Sequence, residues 1–368
     1  MSADLLSGVW ADPQRRPQLS SRQWETLLGQ ARRSALQARL AQHFVDQGWY
    51  DSTPEGPRRH LESALRMAER QRNEVVWELD CIRRALNRVD TPIVLLKGAA
   101  YLAAGLPPAP GRLFADIDIM VDRRQLQAVE NALFAAGWIA QERDPYNDRY
   151  YRRWMHELPP LRHVKRGSCI DVHHTITPPT SRFAVDGSRL LERIQRVESY
   201  PKLSVLAPAD MVLHSAAHLF QEGEFWHGLR DLLDLNSLLL HFGRQDTFWP
   251  DLLDRAEELG LQVPLAHALI HVERLFSTAA PSEQLDRVRA LDRRPVRRWM
   301  MKWLLRSALR PEHPSCDGPF SALARGLLFV RSHWLRMPPH LLAYHLGRKA
   351  LMRLQGEGAE NGQRALRN

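Results

Sequence analysis

The chain reads as an α+β protein, a small mixed sheet flanked by N-terminal helices and a C-terminal helical domain. Two patterns say so. Apolar residues recur at three- and four-residue steps before about residue 90 and after about 207. Between these regions lie short apolar or alternating runs bounded by Gly and Pro. The 368 residues, 44% hydrophobic and 25% charged, are globular material with enough chain for a substantial core. The expected division is an N-terminal helical region over 1–90, an α/β core over 91–205, a helical domain over 206–355 and a flexible tail over 356–368.

In the first region Trp24, Leu27, Leu28, Ala31, Ala35, Leu36 and Leu40 keep helical spacing. So do Leu61, Leu65, Ala68, Val75, Val76, Leu79, Ile82 and Leu86. Turn residues over 48–57 separate the two runs, and Ser20 or Ser21 can cap the first. In the middle, 93–96 is a short apolar run that reads as a buried strand. It breaks at Gly98 and passes into an Ala/Leu helix. Phe114-Ala115-Asp116-Ile117-Asp118-Ile119-Met120-Val121 alternates with period two, which is a strand. A helix over 124–136 ends at Gly137, a left-handed stop. Cys169-Ile170-Asp171-Val172-His173 is another strand, bracketed by Pro159-Pro160 and Pro178-Pro179. Helices then follow over 208–220, 229–242, 249–259, 264–276, 295–309, 320–335 and 341–354, several opened by proline. Trp299, Trp303, Phe320, Phe329, Trp334 and Tyr344 recur among these apolar residues and are expected in the core.

Period two places Asp116 and Asp118 on one face, with Ile117, Ile119 and Val121 on the other. Two adjacent carboxylates repel unless a cation lies between them. Mg²⁺ takes hard oxygen ligands and usually holds substrate phosphates as well, and Mn²⁺ can stand in for it. A phosphoryl or nucleotidyl transfer site follows as the first expectation. Replacing Asp118 by Asn should then abolish transfer and, by relieving repulsion, raise stability.

Gly98 at a strand-to-helix turn lets backbone N–H groups approach an anion; a Cβ there would fill that space and force a disallowed φ. Lys97 and Arg112 supply positive charge beside it. Lys97 could also simply point to water, and Arg112 could pair with an aspartate. His173, two residues from Asp171, shares its face, whereas His174 points away. His214 and His218 are four apart, on one helix face, and could serve substrate or sit satisfied in the core. Arg230-Asp231 and Asp234 follow on the next helix, where Asp231 could meet an acceptor or pair with an arginine.

This order of elements resembles the nucleotidyltransferase fold of the DNA polymerase β superfamily. Within it, the chain is similar to a bacterial family described as uncharacterised nucleotidyltransferases. The resembling motifs are Leu96-Lys97-Gly98, Arg112 shortly before the Asp-x-Asp, Asp116-Ile117-Asp118-Ile119-Met120-Val121, and Ile170-Asp171-Val172-His173, then His214 and His218 followed by Arg230-Asp231. The likeness covers about 90–240. It implies Mg²⁺ ligation by Asp116 and Asp118, a third carboxylate role for Asp171, and a nucleoside triphosphate bound around Gly98. Where that turn usually has a second Gly or a Ser, this chain has Ala99, so a hydroxyl toward the phosphates is missing.

The activity so implied is Mg²⁺-dependent transfer of a nucleoside monophosphate from an NTP to a hydroxyl or phosphate. The acceptor would be a small molecule, a saccharide or a peptide, in polysaccharide or natural-product biosynthesis. The alternative is a catalytically silent protein of the same fold that binds or regulates; Asp171 argues for activity and Ala99 for silence. The net charge of +9 suits an anionic partner, but the arginine pairs are scattered and no RNA module is present, so nucleic acid is not expected. Cys81, Cys169 and Cys316 lie far apart without zinc spacing. The one His-Glu pair, His156-Glu157, runs into Pro159-Pro160 rather than a helix, so no zinc is expected. Reduced cysteines, an N-terminus without signal-peptide character and the lack of a membrane-length apolar stretch point to a cytoplasmic protein.

Overall fold

The computed structural model describes residues 4–141, 145–221, 223, 225–276, 281, 283, 287 and 295–344. Its centre is a mixed sheet of β1 (Ile93–Leu95), β2 (Ile117–Met120), β3 (Trp138–Ala140), β4 (Leu161–His163), β5 (Cys169–His173), β6 (Gln195–Arg196) and β7 (Leu203–Val205). The spatial order is β3-β4-β5-β2-β1-β7-β6. β2 runs antiparallel to β1 and parallel to β5. Register across β2 and β5 sets Asp118 opposite Asp171 and Met120 opposite His173. Residues opposite each other in a sheet project to the same face, with strands about 4.8 Å apart. That single pairing assembles the candidate site. On the far side of β5, a bridge joins Glu157 to His173.

The N-terminal helices are α1 (Leu5–Ala11), α2 (Ser21–Arg33), α3 (Gln37–Asp46) and α4 (Glu55–Ala85). Ser20 and Gln23 close a capping box at the start of α2. The helical spacing from Trp24 to Leu40 suggests one helix, but the chain breaks at Ala35, whose φ is +52°. An alanine in left-handed backbone leaves no sequence mark, and the apolar spacing runs on through the kink. α5 (Lys97–Ala103) follows β1. After a 3₁₀ turn, α6 (Leu126–Ala135) stops before Gly137, which takes the expected left-handed φ of +100°. α7 (Pro145–Trp154) and α8 (Gly187–Leu191) complete the middle region. β3, β4, β6 and β7 have three residues or fewer, too few to show a period of two.

After the sheet come α9 (Pro208–Gln221), whose Ser215 Oγ lies 2.7 Å from Tyr101 Oη on α5, and α10 (Gly228–Phe242), which packs on α9, followed by α11 (Phe248–Glu258), α12 (Gln262–Phe276) and the helices Pro295–Ala308 and Ser321–Arg336. One apolar cluster runs from Leu6 through the strands to Leu328. The late aromatics depart from expectation. Trp299, Phe320, Phe329, Trp334 and Tyr344 are exposed, and only Trp303 packs against the core. The helices Pro295–Ala308 and Ser321–Arg336 bury residues such as Leu305 and Leu328, while Trp299, Phe329 and Trp334 on the same helices face outward. The expected helix over 341–354 extends beyond the described residues after 344, and the tail over 356–368 lies outside them.

Candidate active site

Asp118 is the most enclosed of the strand carboxylates, at 8% exposure. Its Oδ1 lies 3.0 Å from His173 Nε2, and its Oδ2 lies 3.9 Å from Lys97 Nζ. Burial alone would raise its pKa; the Lys97 charge and the His173 contact outweigh that and hold it well below the usual carboxylate range. Asp118 is therefore a neutralised anion. Asn at this position should lower stability, the reverse of what bare repulsion suggests.

Asp116 stands just before β2, reachable by solvent, yet closely enough surrounded by protein that desolvation, then the Asp118 charge, raises its pKa. Asp171 is partly buried beside Asp118. Desolvation, then the charges of Asp118, Glu157 and Asp116, push it up to about 7. Its Oδ1 is buried with no hydrogen-bond partner. The repulsion read from the sequence is real, but it falls on Asp116 and Asp171.

Lys97 and Gly98 open α5 and line one cleft with Asp116 and Asp118. Lys97, not Gly98, takes left-handed backbone, with φ +44°. Strain at a non-glycine residue persists only where its surroundings hold it. Gly98 is needed for another reason than φ. A Cβ there would lie 2.8 Å from Arg112 Nε and 3.2 Å from the Phe114 ring. Arg112 itself is buried, donates from Nη1 to Asp234 on α10, and lies 5.5 Å over the Tyr101 ring. Desolvation, then Arg230, lowers its pKa to about 10, which leaves it cationic at neutral pH.

A cleft of about 320 Å³ opens over Lys97, Gly98, Asp116 and Asp118, and its opposite wall is His218, Arg230 and Asp231 from α9 and α10. Arg112 and Asp234 form part of its lining. Arg230 Nη2 lies 2.8 Å from Asp231 Oδ1. Burial would raise the Asp231 pKa, but Arg230, His218 and Arg112 bring it to about 2. His214, one turn before His218, is 3% exposed and does not line the cleft; desolvation keeps it neutral, well below its ordinary pKa. Thus the structure gathers Lys97, Gly98, Arg112, Asp116, Asp118, His218 and Asp231 at one cleft. Asp171 and His173 adjoin it through β5, and His214 lies behind it.

Glu157 is the acid that sequence reasoning passes over. It faces His173 across the bridge, with Oε2 3.4 Å from His173 Nδ1. Cross-strand pairing, which residue spacing does not encode, brings it to the carboxylate face. His173 is buried between two anions: desolvation lowers its pKa, but Asp118 and Glu157 raise it further, for a net rise.

The description "uncharacterised nucleotidyltransferase" fits a family that matches residues 20–277, and the chain belongs to that family. No curated protein and no solved structure matches it. Among the described residues, no helix is long and apolar enough to cross a membrane.

Proposed function

From that membership, we propose that the chain is a cytoplasmic, Mg²⁺-dependent nucleotidyltransferase, Mn²⁺ also serving. It moves a nucleoside monophosphate from an NTP, ATP among them, to a hydroxyl or phosphate of a saccharide, small-molecule or peptide acceptor. Polysaccharide or natural-product biosynthesis is the setting we favour. The observation that carries the reading is Asp118 in register with Asp171, with Asp116 two residues away at the cleft. Three neighbouring carboxylates, one of them Asp171 with a buried oxygen that has no hydrogen-bond partner, are an all-oxygen donor set of the kind a hard divalent cation takes. Asp116, Asp118 and Asp171 would hold the ion, which supplies positive charge against the phosphate oxygens.

The chain's own groups do the rest. Lys97 at the strained turn, backed by the buried Arg112, gives the cleft positive potential for a triphosphate beside Gly98. Asp171, in register with Asp118 on the neighbouring strand, would take the proton from an attacking hydroxyl at its carboxylate. Attack at the α-phosphorus forms the new P–O bond as the bond to pyrophosphate breaks. His218, Arg230 and Asp231 wall the cleft opposite and would orient the acceptor.

The experiment is a screen of NTPs labelled at the α- or γ-phosphorus, with Mg²⁺ or Mn²⁺, against saccharide, small-molecule and peptide extracts. Transfer puts α-label on an acceptor and γ-label in pyrophosphate. γ-Label appearing as inorganic phosphate, with no α-label transferred, would contradict the proposal.

A further inference from the structure

We propose that His156, Glu157 and His173 form a binding site for a zinc-class divalent ion, separate from the three aspartates. One ligating atom from each of the three lies within 4.8 Å of the others. Glu157 Oε2 is 3.4 Å from His173 Nδ1 and 3.9 Å from His156 Nε2. Four-coordinate zinc, with bonds of about 2.0–2.2 Å, spaces its donors about 3.4 Å apart. The two distances to Glu157 are close to that, and the His156–His173 pair, within 4.8 Å, would close toward it on binding. The two imidazoles lie with ring centroids 5.1 Å apart.

Hydrogen bonding selects the donor atoms. His173 is 3% exposed, and its Nε2 is engaged by Asp118. With the proton on Nε2, Nδ1 presents a lone pair toward Glu157, and that Nδ1 is buried with no hydrogen-bond partner. Carboxylate, imidazole and metal in line is the usual way a ligating histidine is oriented. Two nitrogens and one oxygen suit a borderline ion such as Zn²⁺ and disfavour Mg²⁺, which takes oxygen. This donor set differs from the cysteine and His-Glu-x-x-His patterns whose absence led to the expectation of no zinc. It arises where Glu157 is bridged to β5. An ion here would lock His173, and through it the Asp118 carboxylate, in one orientation. The plain alternative is a His173 imidazolium held between Asp118 and Glu157.

Co²⁺ is the probe, added to the full chain stripped of metal. The expected result is one Co²⁺ per chain with the intense visible bands of low-coordinate, nitrogen-ligated cobalt, displaced by Zn²⁺. Those bands should persist in Asp116→Asn and vanish in His156→Ala and Glu157→Gln, with Co²⁺ affinity down at least about a hundredfold. Absence of the bands in the unaltered chain, or equal bands in folded His156→Ala and Glu157→Gln, would overturn the site. If those variants do not fold, X-ray absorption on the zinc-loaded unaltered chain decides. Scattering from two imidazoles supports the site, and an all-oxygen shell or no bound zinc refutes it.

Discussion

Asp118 and Asp171 occupy matching positions on adjacent strands, yet their environments push them in opposite directions. In metal-free protein, Asp171→Asn removes a carboxyl whose folded pKa, about 7, exceeds its unfolded value. Between roughly pH 4 and 7 the folded form holds the proton that the unfolded form has lost, so ionisation at Asp171 costs stability as pH rises. The variant should therefore melt a few degrees higher at pH 8, with the gain gone by about pH 4. A pH series of thermal melts in chelator checks this. Asp118→Asn should do the reverse. Its depressed pKa contributes stability above about pH 4 that is lost as pH falls through the folded value. Loss of the Lys97 and His173 partners should cost about 1–3 kcal/mol at pH 7 by denaturant unfolding, and transfer should be abolished. At this scale the sequence showed the acids of β2 and β5 through their alternation with apolar residues. It could not show which acid is paired, because Lys97, His173 and Glu157 reach Asp118 and Asp171 by tertiary contact.

The elements that shape the cleft differ in how plainly the sequence marked them. β2 and β5 were legible from period two, and α9 and α10 from their apolar spacing. β4 has three residues, so the neighbouring bridge that brings in Glu157 had no periodic signal. At Gly98 the sequence pointed to the right turn, but the φ it expected there belongs to Lys97, and the glycine also makes room for Arg112 and Phe114. The pairing of α9 with α10 beside the cleft gives a separate expectation. His218 lines the cleft while His214, on the same helix, is enclosed. His218→Ala should lower kcat/KM for the acceptor about tenfold or more and leave Mg²⁺–NTP affinity within about twofold. Steady-state kinetics beside calorimetric titration separates the two; an equal loss in both would assign His218 to nucleotide binding or packing.

Across the whole molecule, buried charge ties the layers together. Asp234 on α10 accepts from Arg112 beside the cleft and from Arg39 on α3, whose Nη1 is 3.3 Å away. All three are largely enclosed, so Asp234→Ala leaves two guanidinium groups without their anion. The expected cost is about 3–5 kcal/mol in denaturant unfolding, well above that of a surface ion pair. The α+β architecture itself was readable from where helical and alternating patterns change over. The links between its layers were not, since Arg39, Arg112 and Asp234 are far apart in sequence. The central claim remains that Asp116, Asp118 and Asp171 hold the metal of a nucleotide substrate. Its most direct test is anomalous diffraction from crystals of the chain soaked with Mn²⁺ and an α,β-non-hydrolysable NTP. The account expects a manganese peak among those three carboxylates with the triphosphate at the Lys97–Gly98 turn, and both absent in Asp118→Asn. Manganese and nucleotide bound elsewhere, or equally well in Asp118→Asn, would contradict it.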